Sequence, residues 1–73
     1  MYDLNIYVAI TPYSNGYTRY FQVDKVGLRK LITEIEKFTD DIKLAVDVAE
    51  WADNAEVGEV FESKYFKAEI IED

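Results

Sequence analysis

Apolar and polar residues alternate at the start of the chain. Tyr2, Leu4, Ile6, Val8 and Ile10 fall on one side of a period of two, and Asp3, Asn5, Tyr7 and Ala9 on the other. Successive side chains of an extended strand point to opposite faces, so the spacing predicts a half-buried strand over residues 2–10. The alternation breaks at Pro12-Tyr13-Ser14-Asn15-Gly16-Tyr17 and a second β-prone run follows, ending at Val23-Asp24-Lys25. Asn-Gly between two such runs signals a hairpin, because a type I′ turn takes positive φ at both central residues. A two-residue turn at Asn15-Gly16 sets Ile10 opposite Phe21, Val8 opposite Val23 and Tyr20 opposite Thr11. Apolar side chains then meet on the inner face, and Tyr7, Tyr13, Thr18, Tyr20 and Gln22 share the outer one.

From Asp24 on the period changes. Leu28, Leu31, Ile32, Ile35 and Phe38 recur at helical spacing, with Arg29, Lys30, Glu34 and Lys37 between them. This predicts a helix at about 25–38, capped by Asp24 and carrying an i,i+4 pair between Lys30 and Glu34. Residues 40–57 fit two templates. Ile42, Leu44, Val46 and Val48 alternate like a strand, while Leu44, Val48, Trp51 and Ala55 follow helical offsets beside a polar stripe of Lys43, Asp47, Glu50 and Asn54. Four alanines favour helix, Asp40 and Asp41 suit its N-terminus, and Gly58 suits the position just past its end. The helix accounts for more of the segment and for both ends, and is the expectation taken. Glu59-Val60-Phe61-Glu62 reads as extended or a turn. Tyr65–Ile71 reads as a last strand with Phe66, Ala68 and Ile70 inside and Lys67 and Glu69 outside. The expected fold is α+β in the order ββααβ: a three-stranded antiparallel sheet with two helices packed on one face, all one domain over residues 1–73.

Composition narrows what such a domain can do. The chain has no Cys and no His, so a Cys/His zinc site and the usual nucleophilic triads are excluded. With 73 residues, stability has to come from a dense core or from self-association. No apolar run approaches the ~20 residues of a membrane helix, and no secretory signal is present, so a cytoplasmic location with no membrane contact is expected. Charge is uneven. Residues 1–39 hold five Lys/Arg and four Asp/Glu, a net of +1, whereas residues 40–73 hold three Lys and eleven Asp/Glu, a net of −8. That disfavours direct binding to nucleic acid, which needs clustered cations, and suits a basic protein partner.

Two groups of residues are candidate contact sites. Asp47, Glu50, Asp53, Glu56 and Glu59, continued by Glu62, recur at every third position with no Lys or Arg between them. They lack the ligand spacing of a calcium loop, and no metal or cofactor site is expected. They read either as an acidic patch that imitates phosphates or docks on a basic protein, or as a solvated face that serves solubility. The second group is Tyr7, Tyr13, Tyr17 and Tyr20 with Arg19. Cross-strand packing, a protein interface and a stacking platform for bases are its three readings, in that order. Ser14 and Ser63 sit at expected turns without a base beside them, and no catalytic residue is assigned. Trp51 is read as a core anchor, and Gly27 as a glycine without phosphate-loop company.

The segment Ala49-Glu50-Trp51-Ala52-Asp53-Asn54-Ala55-Glu56-Val57-Gly58-Glu59-Val60-Phe61, followed by Tyr65-Phe66-Lys67-Ala68-Glu69-Ile70-Ile71, resembles the C-terminal part of small uncharacterised proteins encoded by phages and mobile elements of Gram-positive bacteria. In those proteins too a Trp-centred helix ends at a Gly and leads to a last strand. More loosely, Ile6-Tyr7-Val8-Ala9, the Asn15-Gly16 turn and Tyr20-Phe21-Gln22-Val23-Asp24 are similar to the start of ArdA-type antirestriction proteins, which are acidic mimics of DNA. These resemblances imply a non-enzymatic binding module of phage or mobile-element origin acting on a protein partner, in its specific form a nucleic-acid-mimicking inhibitor of a nucleic-acid-handling enzyme. The alternative expectation is a self-associating accessory protein, a homodimer that uses the Tyr-bearing sheet face or a strand edge.

Overall fold

The computed structural model describes residues 5–73. Tyr2 and Leu4, expected on the inner face of the first strand, and Asp3 on the outer, lie outside the described residues. The elements run β1 (Ile6–Pro12), β2 (Arg19–Gln22), α1 (Lys25–Ile35), α2 (Ile42–Asn54), β3 (Val60–Glu62) and β4 (Phe66–Glu72). The chain is α+β, as expected, but its sheet has four strands rather than three, antiparallel and ordered β2-β1-β4-β3. The extra strand is β3. Three residues are too few to show alternation, and pairing with β4 is what makes them a strand: Phe61 stands opposite Ala68 and Glu62 opposite Lys67. A tight Ser63-Lys64-Tyr65-Phe66 turn joins the two, with the Ser63 hydroxyl accepting from the backbone N–H groups of Tyr65 and Phe66.

The first hairpin departs from the expected register by two residues. Val8 stands opposite Phe21, Ala9 opposite Tyr20 and Ile10 opposite Arg19. No described residue other than glycine has positive φ, so the Asn15-Gly16 pair does not form a type I′ turn. β1 instead continues to Pro12, held by pairing with β4 and by a bond from the Tyr13 N–H to the Tyr65 carbonyl. The chain then reverses through residues 13–18. There Gly16, at φ 72°, donates its N–H to Pro12, and the Asn15 carboxamide oxygen accepts from the Tyr17 N–H. A shift of two keeps side-chain parity, so inside and outside are unchanged.

Both helices begin where the capping residues require. The Asp24 carboxylate accepts from the Gly27 N–H at 2.6 Å, and the Asp41 carboxylate from the Leu44 N–H at 3.0 Å. Both helices end earlier than expected. α1 stops at Ile35, and Lys37 and Phe38 close turns onto the Glu34 and Ile35 carbonyls. Phe38 still packs on the core, its ring 6.3 Å from that of Phe66. α2 stops at Asn54 with Ala55 extended, so Gly58 is not its terminating residue. Gly58, at φ 97°, instead lies in the turn into β3 and donates its N–H to Ile70.

The core is one cluster: Val8 and Ile10 from β1, Phe66, Ala68 and Ile70 from β4, Leu28, Leu31 and Ile35 from α1, Ala45, Val48, Ala49 and Ala52 from α2, with Val23. Two cross-links show that both helices cover the same side of the sheet. Trp51 of α2 meets Phe61 of β3 at 5.5 Å between ring centres, and Glu34 of α1 meets Arg19 of β2. Phe61 and Arg19 stand opposite Ala68 and Ile10, whose side chains are buried. Among the described residues no helix lies on the other sheet face.

Candidate functional site

Strand pairing fixes what the helix-free face presents. Across it run three rows: Gln22, Tyr7 and Ile71; then Tyr20, Ala9, Glu69 and Val60; then Thr18, Thr11, Lys67 and Glu62. The Thr11 and Thr18 hydroxyls bond at 2.7 Å and tie β1 to β2 on this side. Tyr20 is 61% exposed, and Tyr7 and Ile71 are half-buried. Shallow depressions lie side by side here: one of about 370 Å³ is lined by Tyr7, Tyr20, Ile71, Glu72 and Asp73, and its neighbour reaches Thr11, Thr18 and Lys67.

The expected aromatic site is therefore only partly assembled. Tyr7 and Tyr20 share the bare face. Tyr13 and Tyr17 sit in the exposed reversal at 55% and 74% exposure. Arg19 does not join them. It stands opposite Ile10, on the helix side of the sheet, and its guanidinium Nε lies 3.3 Å from a Glu34 carboxylate oxygen. Alternation along β2 is the reason: residues 19 and 20 cannot point the same way. Glu34 also takes Lys37 at 3.2 Å, in place of the expected partner Lys30. The Glu34 carboxylate is largely buried and is answered by two exposed cations, so the outer strand β2 is clamped to α1 by charge as well as by packing.

The acidic residues divide among three elements. Asp47, Glu50 and Asp53 are exposed on α2; Glu56 and Glu59 follow in the connection; Glu62 lies on β3, on the bare sheet face. At 100° per residue the three on α2 cover an arc of about 120° and a rise of about 9 Å. Glu59 accepts from the Glu56 N–H and so folds the connection back on itself. Among the described residues both ion pairs converge on Glu34, so none of these acids lies within ion-pair distance of a Lys or Arg, although Glu62 stands opposite Lys67 across the strand pair. Exposed apolar side chains border the band: Ile42 and Val46 on α2, Val57 and Val60 beyond it. Sequence reasoning missed that border. Ile42 and Val46 look like core by hydropathy, and only the rotation of α2 shows that they face out.

Among the described residues no three acidic side chains converge as a metal site would require, and no helix is long and apolar enough to cross a membrane. No protein-family model, curated protein or solved structure matches the chain.

Proposed function

We propose that this chain is a non-enzymatic binding module that acts on a basic protein partner through the acidic band from Asp47 to Glu59. The observation that carries the reading is that the band is exposed and, among the described residues, pairs with no cation. A face kept only for solubility works as well with both signs interspersed. Unanswered carboxylates beside exposed Val46 and Val57 leave electrostatic attraction and apolar contact together for a partner to use.

In its specific form the partner is a nucleic-acid-handling protein, and the module competes with nucleic acid for a basic groove. Neighbouring carboxylates on α2 are about 4.5 Å of rise apart, a wider spacing than the roughly 3.4 Å between charges along each strand of a duplex, so attraction to a basic surface rather than a matched phosphate register carries the reading. An origin on a phage or mobile element rests on the resemblance of the Trp51 helix and last strand alone.

The test is affinity capture with the chain immobilised, at low and high salt, comparing the wild type with a triple variant Asp47→Lys, Glu50→Lys, Asp53→Lys. The expected result is a captured basic protein that the triple variant fails to bind. Salt should release it as the screening length falls from about 10 Å at 0.1 M to about 3 Å at 1 M. Added nucleic acid should displace it. Capture that ignores both salt and charge reversal would refute the reading.

A further inference from the structure

The two outer strands of the sheet, β2 and β3, end it in different ways. On β2 the Gln22 carbonyl accepts from the Asp24 N–H at 2.9 Å. The first turn of α1 lies against the same oxygen, since a Cβ at Gly27 would stand 1.8 Å from it. The chain's own helix therefore closes the β2 edge. The β3 edge is open. Its ladder to β4 uses every second residue: the Glu59 carbonyl accepts from the Ile70 N–H at 3.0 Å, Phe61 pairs with Ala68, and the Ser63 N–H donates to the Phe66 carbonyl at 3.0 Å. The N–H and C=O groups of Val60 and Glu62 then point away from β4, and among the described residues they meet no partner. These bonds hold residues 59–63 extended, an edge of about 17 Å at about 3.3 Å per residue.

We propose that the β3 edge takes an extended, basic segment of a protein partner as a fifth strand. The inference rests on the reading that the partner is basic, and adds the manner of its binding. Free main-chain groups at an edge are a template for another strand, and charge selects which strand. Glu56, Glu59 and Glu62 lie along the edge or lead into it, and residues 55–63 contain no Lys or Arg. The next basic residues along the chain are engaged elsewhere. Lys64 Nζ stands 5.4 Å from the centre of the Tyr65 ring, and Lys67 is on β4, one strand further in. A second copy paired edge to edge would set these carboxylates against their own kind, which is unfavourable. The same carboxylates admit a strand that carries Lys or Arg.

The two sides of the edge differ, and so set the pattern of the segment. Val60 and Glu62 project on the helix-free side. Phe61 projects on the helix side, where its ring meets that of Trp51 at 5.5 Å and both are half-buried. Side chains of an added strand alternate in the same way. Those on the helix-free side fall beside Glu62 and suit Lys or Arg. Those on the helix side fall beside the Phe61 and Trp51 rings and suit an aliphatic residue. Main-chain bonds supply the affinity, and this alternation supplies the choice of sequence.

A short peptide alternating Lys and Val, titrated into the isotope-labelled chain and followed by amide NMR, tests the inference. The amide protons of Val60 and Glu62 are expected to move downfield as they gain acceptors, while that of Tyr20 stays in place. Val60→Pro removes one outward N–H and touches neither a ladder bond to β4 nor a charge. It should weaken the peptide about fivefold, the net worth of one hydrogen bond, with an unchanged circular dichroism spectrum. The same peptide with its backbone N-methylated leaves the protein unaltered and should bind about tenfold more weakly or worse. Binding as tight to Val60→Pro and by the N-methylated peptide overturns the inference. So does equal binding of an alternating Glu and Val peptide, or shifts at Tyr20 in place of Val60 and Glu62. Shifts at Val60 and Glu62 that grow with protein concentration alone would assign the edge to a second copy and overturn it too. The triple variant Asp47→Lys, Glu50→Lys, Asp53→Lys separates this result from the fate of the acidic band. If it loses the captured protein while Val60→Pro keeps it, the band stands and strand addition falls; the reverse result removes the band and leaves the strand.

Discussion

At Gly27 the first turn of α1 passes so close to the end of β2 that a Cβ there would stand 1.8 Å from the Gln22 carbonyl oxygen. The obstructing atom is backbone, which cannot swing aside, so the helix or the strand has to move. Gly27→Ala is expected to cost about 2–3 kcal/mol, the upper part of the overpacking range, read as a lower urea midpoint at an unchanged slope. Gly16 makes the contrast. Nothing lies within 4 Å of its would-be Cβ, and only its φ of 72° resists substitution. Gly16→Ala should therefore cost about 1 kcal/mol, the smaller effect of the two. The sequence shows Gly16 in a turn-forming pair, but Gly27 as an isolated glycine near a helix start. A local motif is visible in a window of residues, whereas a close approach between residues 22 and 27 depends on the angle at which a helix leaves a strand. Glu34 teaches the same lesson. Lys30 is the partner that i,i+4 spacing offers; Lys37, three residues on, and Arg19, from strand β2, are the ones the fold supplies. Since Arg19 and Lys37 are 62% and 63% exposed, they stay hydrated when Glu34 is lost, so Glu34→Ala should cost only about 1 kcal/mol, measurable by the same urea titration.

Among the elements, β3 depends most on a single contact. It has three residues, lies at the sheet edge, and is covered by the Trp51–Phe61 ring pair. Trp51→Ala should lower stability by about 3 kcal/mol, since an aromatic half-buried against the core is truncated. The loss should be uneven. Amide exchange at Val60–Glu62 is expected to lose protection before β1 and β4, which hold each other through seven paired positions. Uniform loss of protection across the whole sheet would show that β3 is part of one cooperative unit. What was legible at this scale follows from signal length. α1, α2, β1 and β4 each present several apolar residues at a regular period, and all four appear; among the described residues the expected faces are buried in α1, β1 and β4, whereas α2 buries Ala45, Val48, Ala49 and Ala52 and leaves Leu44, Trp51 and Ala55 half-buried. In 40–57 the strand and helix periods overlapped, and Asp41 with the alanines settled the helix. β3 is shorter than one repeat of any pattern. Asn15-Gly16 points to a two-residue turn and so to a register two residues off, because the Tyr13 N–H is held by Tyr65, more than fifty residues away. Of the two candidate sites, the acidic residues were legible one by one and the aromatic group only by half, because Arg19 and Tyr20 alternate across the sheet.

For the whole molecule, the question is whether the acidic band is there for folding or in spite of it. Asp53 lies in the last turn of α2, which has no basic residue, so it meets the negative end of the helix dipole as well as its acidic neighbours. Asp47 and Glu50 lie on the same exposed arc, and among the described residues no cation pairs with any of the three. Each acid therefore raises the free energy of the folded chain, where the charges are held close, relative to the unfolded chain, where they spread apart. Two measurements follow from this. Added sodium chloride should raise the thermal midpoint, because screening relieves repulsion within a chain of −7. Asp53→Lys should stabilise the fold by about 0.5 kcal/mol and reduce the rise that salt produces. If both hold, a destabilising surface has been retained where one substitution improves stability, the pattern expected when a surface is kept for binding at some cost to the fold. If Asp53→Lys instead destabilises the chain, the acids serve the folded state, and partner binding by the band loses its main physical support.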